Sequence, residues 1–154
     1  MNTDYFLVLD TSIIINGFVG CKDMEIETAC RSIIKIIENR ERTIIEAYIS
    51  EKVKKETINI LGAGYEMIID SLFSIVEVDD STYMKNFKGA ESSMIPVANE
   101  IGKRYRRPVL LSDDVAFVNK YHRIGYQHRL FTSKQFLLEF VPSFACFRES
   151  CSAK

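Results

Sequence analysis

Asp10 closes the apolar run Phe6-Leu-Val-Leu-Asp10 and is followed by Thr-Ser-Ile-Ile-Ile-Asn16. A carboxylate in such company is rarely buried unless a cation or a set of hydrogen-bond donors meets it. Three more places set acids beside apolar segments: Glu56 within Ser50–Leu61, Glu91 within Gly89–Gly102, and the pair Asp113-Asp114 after Pro108–Leu111. If these places converge, they form a pocket of four or five carboxylates. Like charges in one site repel strongly, so such a pocket calls for cations. All-oxygen ligands suit Mg²⁺ or Mn²⁺. Hard cations held by acids serve phosphodiester hydrolysis, where they activate water and steady the leaving oxygen. Asp10, Glu56, Glu91, Asp113 and Asp114 are therefore the candidate metal ligands. Glu46, inside a predicted strand, is a weaker candidate.

The elements that would carry these acids follow from hydrophobic period and punctuation. Tyr5–Leu9 is an unbroken apolar run, as expected of a strand covered on both faces. The segment 24–39 has Ile26, Ala29, Cys30, Ile33, Ile36 and Ile37 on one helical stripe. Thr43–Ile49 reads as a second strand, and Ser50 is a plausible N-cap for a helix over 51–61 that Gly62 ends. A helix over 65–73 and a short strand over 74–78 follow. The spacing of Glu91, Ala98, Ile101 and Tyr105 predicts a helix over 91–105 headed by Glu91, in which Pro96 either fits the first turn or makes a kink. Pro108–Leu111 is an apolar strand, with a helix over 115–122, a strand over 126–131 after Gly125, and a last helix over 133–140. Strands alternating with helices argue an α/β fold with a parallel sheet, and in such folds sites form beyond the carboxyl ends of the strands.

The 154-residue length suits one domain, with 141–154 a tail. No apolar run approaches the roughly 20 residues that span a bilayer, so a membrane role is not expected. The N-terminus lacks a basic region ahead of its apolar run, and a cytoplasmic protein is the default expectation. Cys21, Cys30, Cys146 and Cys151 form no C-x-x-C pair. They read as reduced thiols, a Cys146–Cys151 disulfide or metal clip being the alternative. Net charge is −1, yet residues 103–134 hold eight cations against two acids. Such asymmetry beside an acidic cluster hints at a polyanionic partner, with Arg104, Arg106, Arg107, Lys120 and Arg123 as candidate contacts. Tyr105, Phe117, Tyr121 and Tyr126 interleave with them, as base-stacking candidates or as core.

The stretches VLDTSIIIN, SEKVKKE, GAESSMIPVANEIG and VLLSDDVAFVNKYHRIGY together resemble PIN-domain ribonucleases, including VapC-type toxins. The resemblance covers roughly residues 5–138. It implies a three-layer α/β/α fold with a mostly parallel central sheet and a nuclease domain over 1–140. It also implies an acid at the end of the first strand (Asp10, followed by Thr11-Ser12), one in the helix after the second strand (Glu56), one before a middle helix (Glu91), and one after the fourth strand. Asp114 matches the last, with Asp113 its rival and Ser112 at the preceding place. By the same resemblance, Asp10, Glu56, Glu91 and Asp114 would hold Mg²⁺ or Mn²⁺ and catalyse hydrolysis of RNA, leaving a 5′-phosphate. Ser12 would position a carboxylate or water, and Asn16 would either assist or serve a helix start. Single-stranded RNA is the implied partner. An antitoxin or processing-complex protein and a second copy of the chain are the implied protein partners.

A catalytically degenerate PIN domain that binds RNA or protein is the competing reading, with Pro96 as its support. A phosphoacceptor receiver domain is a third α/β reading. It wants paired acids after the first strand and a lysine after the last, and this chain has its acid pair after the fourth.

Overall fold

A computed structural model describes residues 5–39, 45–104 and 107–140. The chain runs β1 (Tyr5–Leu9), α1 (Thr11–Phe18), α2 (Met24–Glu38), β2 (Ile45–Ser50), α3 (Glu51–Leu61), α4 (Glu66–Leu72), β3 (Ser74–Val76), a 3₁₀ turn (Gly89–Ser93), α5 (Met94–Gly102), β4 (Pro108–Leu111), α6 (Val115–Ile124), β5 (Arg129–Phe131) and α7 (Ser133–Phe140). All strand pairings are parallel, in the order β3-β2-β1-β4-β5.

Alternation along the strands divides the core in two. Leu7, Leu9, Ala47, Ile49, Val109 and Leu111 face one way and pack with Ile13 and Ile14 of α1, with α2, and with Phe136 and Leu137 of α7. Val8, Tyr48, Leu110 and Leu130 face the other way, onto Met94 to Ile101 of α5 and onto Phe117 and Tyr121 of α6. Both faces are covered, so neighbouring strand residues are all apolar, and three layers result.

The chain steps outward from β1 through β2 to β3, then returns to lay β4 on the other side of β1. The gap between the helices leaving β1 and β4 is the crevice where α/β sheets bind ligands. The ladder continues past the strand end, with the Asp10 amide donating to the Leu111 carbonyl at 3.0 Å.

Two elements depart from the sequence reading. Helix α1 was not expected, because three consecutive isoleucines favour strand. Asp10 caps it by accepting from the Thr11 amide, and the buried Ile13 and Ile14 supply its tertiary support. Helix α5 begins at Met94 rather than at 91. Pro96 has no N–H to give the Ser92 carbonyl, so an α-helix cannot include that turn. Pro96 thus sits in the first turn of α5, where a missing donor costs little, and the residues ahead of it form the tighter 3₁₀ turn. Segment 141–154, with Cys146 and Cys151, lies outside the described residues, as do Arg106 and Tyr105. Cys21 and Cys30 are free thiols. Among the described residues, no helix is long and apolar enough to cross a membrane.

Candidate active site

Asp10 is 4% exposed. Its Oδ1 accepts from the Thr11 amide (2.8 Å), and its Oδ2 accepts from the hydroxyls of Ser12 (3.0 Å) and Ser112 (2.7 Å). Each hydroxyl in turn accepts from the loop after β4: Ser12 from the Asp113 amide at 3.0 Å, Ser112 from the Asp114 amide at 3.1 Å. Those amides occupy hydroxyl lone pairs, so the hydroxyl protons are left to point at Asp10. Burial pushes the Asp10 carboxyl above its ordinary range and the charge of Asp114 adds to that, while the donors from Ser112, Ser12 and Thr11 oppose it.

Asp10, Glu56, Glu91 and Asp114 line one cavity of about 280 Å³, together with Ser12, Asn16 and Lys88. Asp114 is the N-cap of α6 and accepts from the Phe117 amide at 3.1 Å. Glu91 comes from the 3₁₀ turn and hydrogen-bonds to the Asp114 carboxylate. Burial, that hydrogen bond and the charges of Asp114, Asp10 and Glu56 push the Glu91 carboxyl up to about 8. The same bond, helped by the α6 amides, holds Asp114 below its ordinary 3.8 although burial works against it. At neutral pH these two acids therefore share one proton, which keeps like charges apart. Glu56 projects from α3 on the exposed side of the buried Val53 and Thr57, and Ile60, 58% exposed, follows it one turn on at the cavity rim. Its carboxylate reaches the glycine that opens the 3₁₀ turn, where a Cβ on Gly89 would lie 3.6 Å from Glu56 Oε2.

The turn bearing Glu91 is clamped from both sides. Ser93 donates to the Ala90 carbonyl (2.5 Å) and meets the hydroxyl of Ser50, the N-cap of α3, at 2.5 Å. Ser92 donates to the buried Asp80 carboxylate, which also receives Lys52 Nζ at 2.6 Å. Burial works to raise the Asp80 carboxyl, but Lys52 and Ser92 outweigh it and hold it below its ordinary 3.8. Sequence reading missed this clamp, because Asp80 lies in a polar stretch with no period to mark it.

Asp113 does not line the cavity. Its oxygens accept from the Ser133 amide (2.8 Å), the Ser133 hydroxyl (2.7 Å) and Cys30 Sγ (3.1 Å), tying the β4 loop to α7 and α2. Asp113→Ala is expected to lower stability by about 1–3 kcal/mol through the unpaired Ser133 amide, measured by urea unfolding. The native acid cavity should survive this change, so any RNA cleavage should stay within a few-fold of the parent. Glu46 accepts from the Tyr48 hydroxyl beside it.

The expectation that the basic segment lines the acid groove is corrected in part. Helices α5 and α6 carry the chain back toward the start of the next strand. Their last turns, with Arg104 just beyond α5 and Arg123 on α6, therefore lie at the amino edge of the sheet. Arg107 lines a different cavity there, about 1020 Å³, with Pro108, His128 and Arg129. Lys120 is placed differently, with Nζ 5.8 Å from the Phe87 ring centroid next to Lys88. Phe117 and Tyr121 are buried in the core, and Tyr126 packs at its edge on Phe87 and Tyr121. None of these three is a free stacking platform.

The donor set is all oxygen and fits Mg²⁺ or Mn²⁺ in kind. Among the described residues, no group of three or more His, Cys, Asp or Glu side chains is already gathered as a metal-holding set. The Glu91 and Asp114 carboxyls approach closely, and a cation would bridge them in place of that contact.

The chain matches no protein-family model and no curated protein. Among solved structures it is similar to one described as the structure of the PIN domain endonuclease Utp24. Identity is 13%, the match covers 85% of this chain and 86% of that chain, and the TM-score is 0.46. A likeness of this extent carries nothing about chemistry.

Proposed function

We propose that the protein is a metal-dependent endoribonuclease of the PIN class, a reading that covers a VapC-type toxin and an RNA-processing or decay factor alike. The observation that carries it is the convergence of Asp10, Glu56, Glu91 and Asp114, from four separate elements, on one cavity at the switch point of the sheet. Carboxylates crowded until one must hold a proton are a poor structural choice and a good cation site. Asp10, Glu91 and Asp114 would hold Mg²⁺ or Mn²⁺, with Glu56 contributing from the rim. The bound cation would supply an activated water and charge stabilisation at the phosphorus.

The chain's own residues supply the rest. Ser12 and Ser112 hold the Asp10 carboxylate in one orientation through directed hydroxyl protons. Asp114 is held by the α6 amides. The serine and Asp80 clamp sets the depth of Glu91.

A non-cleaving RNA-binding module is the second reading, favoured by the absence of a ready metal-holding set among the described residues. The deciding experiment incubates end-labelled single-stranded RNA with the chain in Mg²⁺, Mn²⁺ or EDTA. Products that need the cation and end in 5′-phosphate are expected. Intact RNA under all three conditions removes the nuclease reading in favour of the second.

A further inference from the structure

Beside the acid cavity lies a second groove of about 480 Å³, lined by Lys52, Lys55, Lys88, Met84 and Phe87, among others. The two share Glu56, Lys88 and Ala90, so they form one continuous surface. The first is dominated by carboxylates. The second holds three lysines to one carboxylate, Glu56.

These cations are not where helix physics would put them. Lys52 and Lys54 fall in the first turn of α3, at the positive end of the helix dipole, and Lys55 follows just past it. A cation there costs about 0.3–1 kcal/mol rather than contributing stability. Two of the three are answered by acids: Lys52 by Asp80 at 2.6 Å, and Lys54 by Asp70 at 2.7 Å and Glu66 at 3.3 Å. Among the described residues, neither Lys55 nor Lys88 has an acid partner, and both are exposed. Lys120, over the Phe87 ring, adds a fourth cation from α6. Two unpaired ammonium groups and an exposed thioether, Met84, therefore meet at the mouth of a cavity of acids.

We infer that this groove is the track of the RNA strand next to the scissile phosphate. Lys55 and Lys88 would contact backbone phosphates, and Lys52, braced by Asp80, would form the wall. The inference rests on the nuclease reading for the strand's direction toward the acids, and its chemistry is that of a single-stranded polyanion. It moves the binding surface from the amino edge of the sheet, where Arg104 and Arg107 lie, to the carboxyl edge.

The test measures binding of a fluorescent single-stranded RNA of about a dozen nucleotides across a salt series. It uses the full chain with Asp10→Asn and Mg²⁺, so that the strand is not consumed. Adding Lys55→Ala and Lys88→Ala together is expected to weaken binding about tenfold and to lower the slope of log K against log salt by about 1.4, or about 0.7 per phosphate contact. Adding Arg104→Ala and Arg107→Ala instead should leave affinity within about twofold. Equal affinity and slope in the lysine variant overturn the groove, and so does failure of the parent to bind RNA. Lysine-dependent binding with no cation-dependent cleavage by the native chain keeps the groove and removes the nuclease reading. Cleavage with lysine-independent binding does the reverse.

Discussion

Replacing Asp10 by Asn is expected to lower Mg²⁺- or Mn²⁺-dependent RNA cleavage roughly a thousandfold without stabilising the metal-free protein. Asp10 is buried, and its carboxyl is pushed above the ordinary range by that burial, with the charge of Asp114 adding to it. A carboxyl raised on folding contributes stability at low pH and loses it as pH rises, so removing the charge relieves a cost at neutral pH. The Asn amide, however, sets its NH₂ against a donor: either the Thr11 N–H, or the Ser12 and Ser112 hydroxyls, whose lone pairs the Asp113 and Asp114 amides already occupy. That mismatch opposes the gain. Cleavage depends on the negative charge, and a thousandfold loss corresponds to about 4 kcal/mol of transition-state stabilisation. Cleavage within about tenfold of the parent would show that Asp10 is not a ligand.

The metal-free protein should also lose stability as pH rises from about 6.5 to about 8, and a divalent cation should restore it. Glu91 has an ordinary value of 4.5 and sits at about 8 in the fold. Its contribution is full below 4.5 and is lost as pH climbs through about 8, with Asp10 adding the same sign. Asp114 runs the other way, but its stabilisation is lost only as pH falls below its ordinary 3.8. His128, lowered by burial, costs stability only below its ordinary 6.5. The window above that value therefore belongs to the acid cluster.

Glu91 is partly open to solvent, so screening discounts the change to a few degrees. Mg²⁺ or Mn²⁺ at a hundred times its dissociation constant would add about 2.7 kcal/mol, or roughly 5–10 °C. The gain should be larger at pH 8 than at pH 6.5, because the cation competes with the Glu91 proton. Differential scanning calorimetry in EDTA and in each cation measures both. A melting temperature that climbs across this window in EDTA, or ignores the cation, contradicts a shared carboxylate site. Glu91→Gln should flatten the pH dependence while leaving the fold intact.

Much of this was readable from residue types alone. Asp10 at the end of an apolar strand, Ser50 as an N-cap and Gly125 past the end of α6 all rest on hydrogen bonds and periods that span a few residues. Helix α1 escaped because its isoleucines favour strand when read locally, and only the core that buries Ile13 and Ile14 makes them helical. Pro96 pointed correctly to trouble at the start of α5. It could not say that Glu91 would still reach the cavity, because that depends on Ser50 and Asp80, distant in sequence.

By itself the sequence determined the α/β alternation and the carboxyl-edge location of the acids that line the cavity. Each of these is a matter of local pattern. Tertiary structure alone decided which of two consecutive aspartates serves the cavity. Asp114 must fold back to cap α6, and its neighbour is thereby turned to the opposite side, where Ser133 and Cys30 take it up. It also decided which cations lie near the acids. Helices returning across a parallel sheet carry their last turns to its amino edge, so the richest basic segment in the chain ends up mostly away from the carboxylates. The lysines of α3 and of the turn before Glu91, unremarkable in sequence, end up beside them.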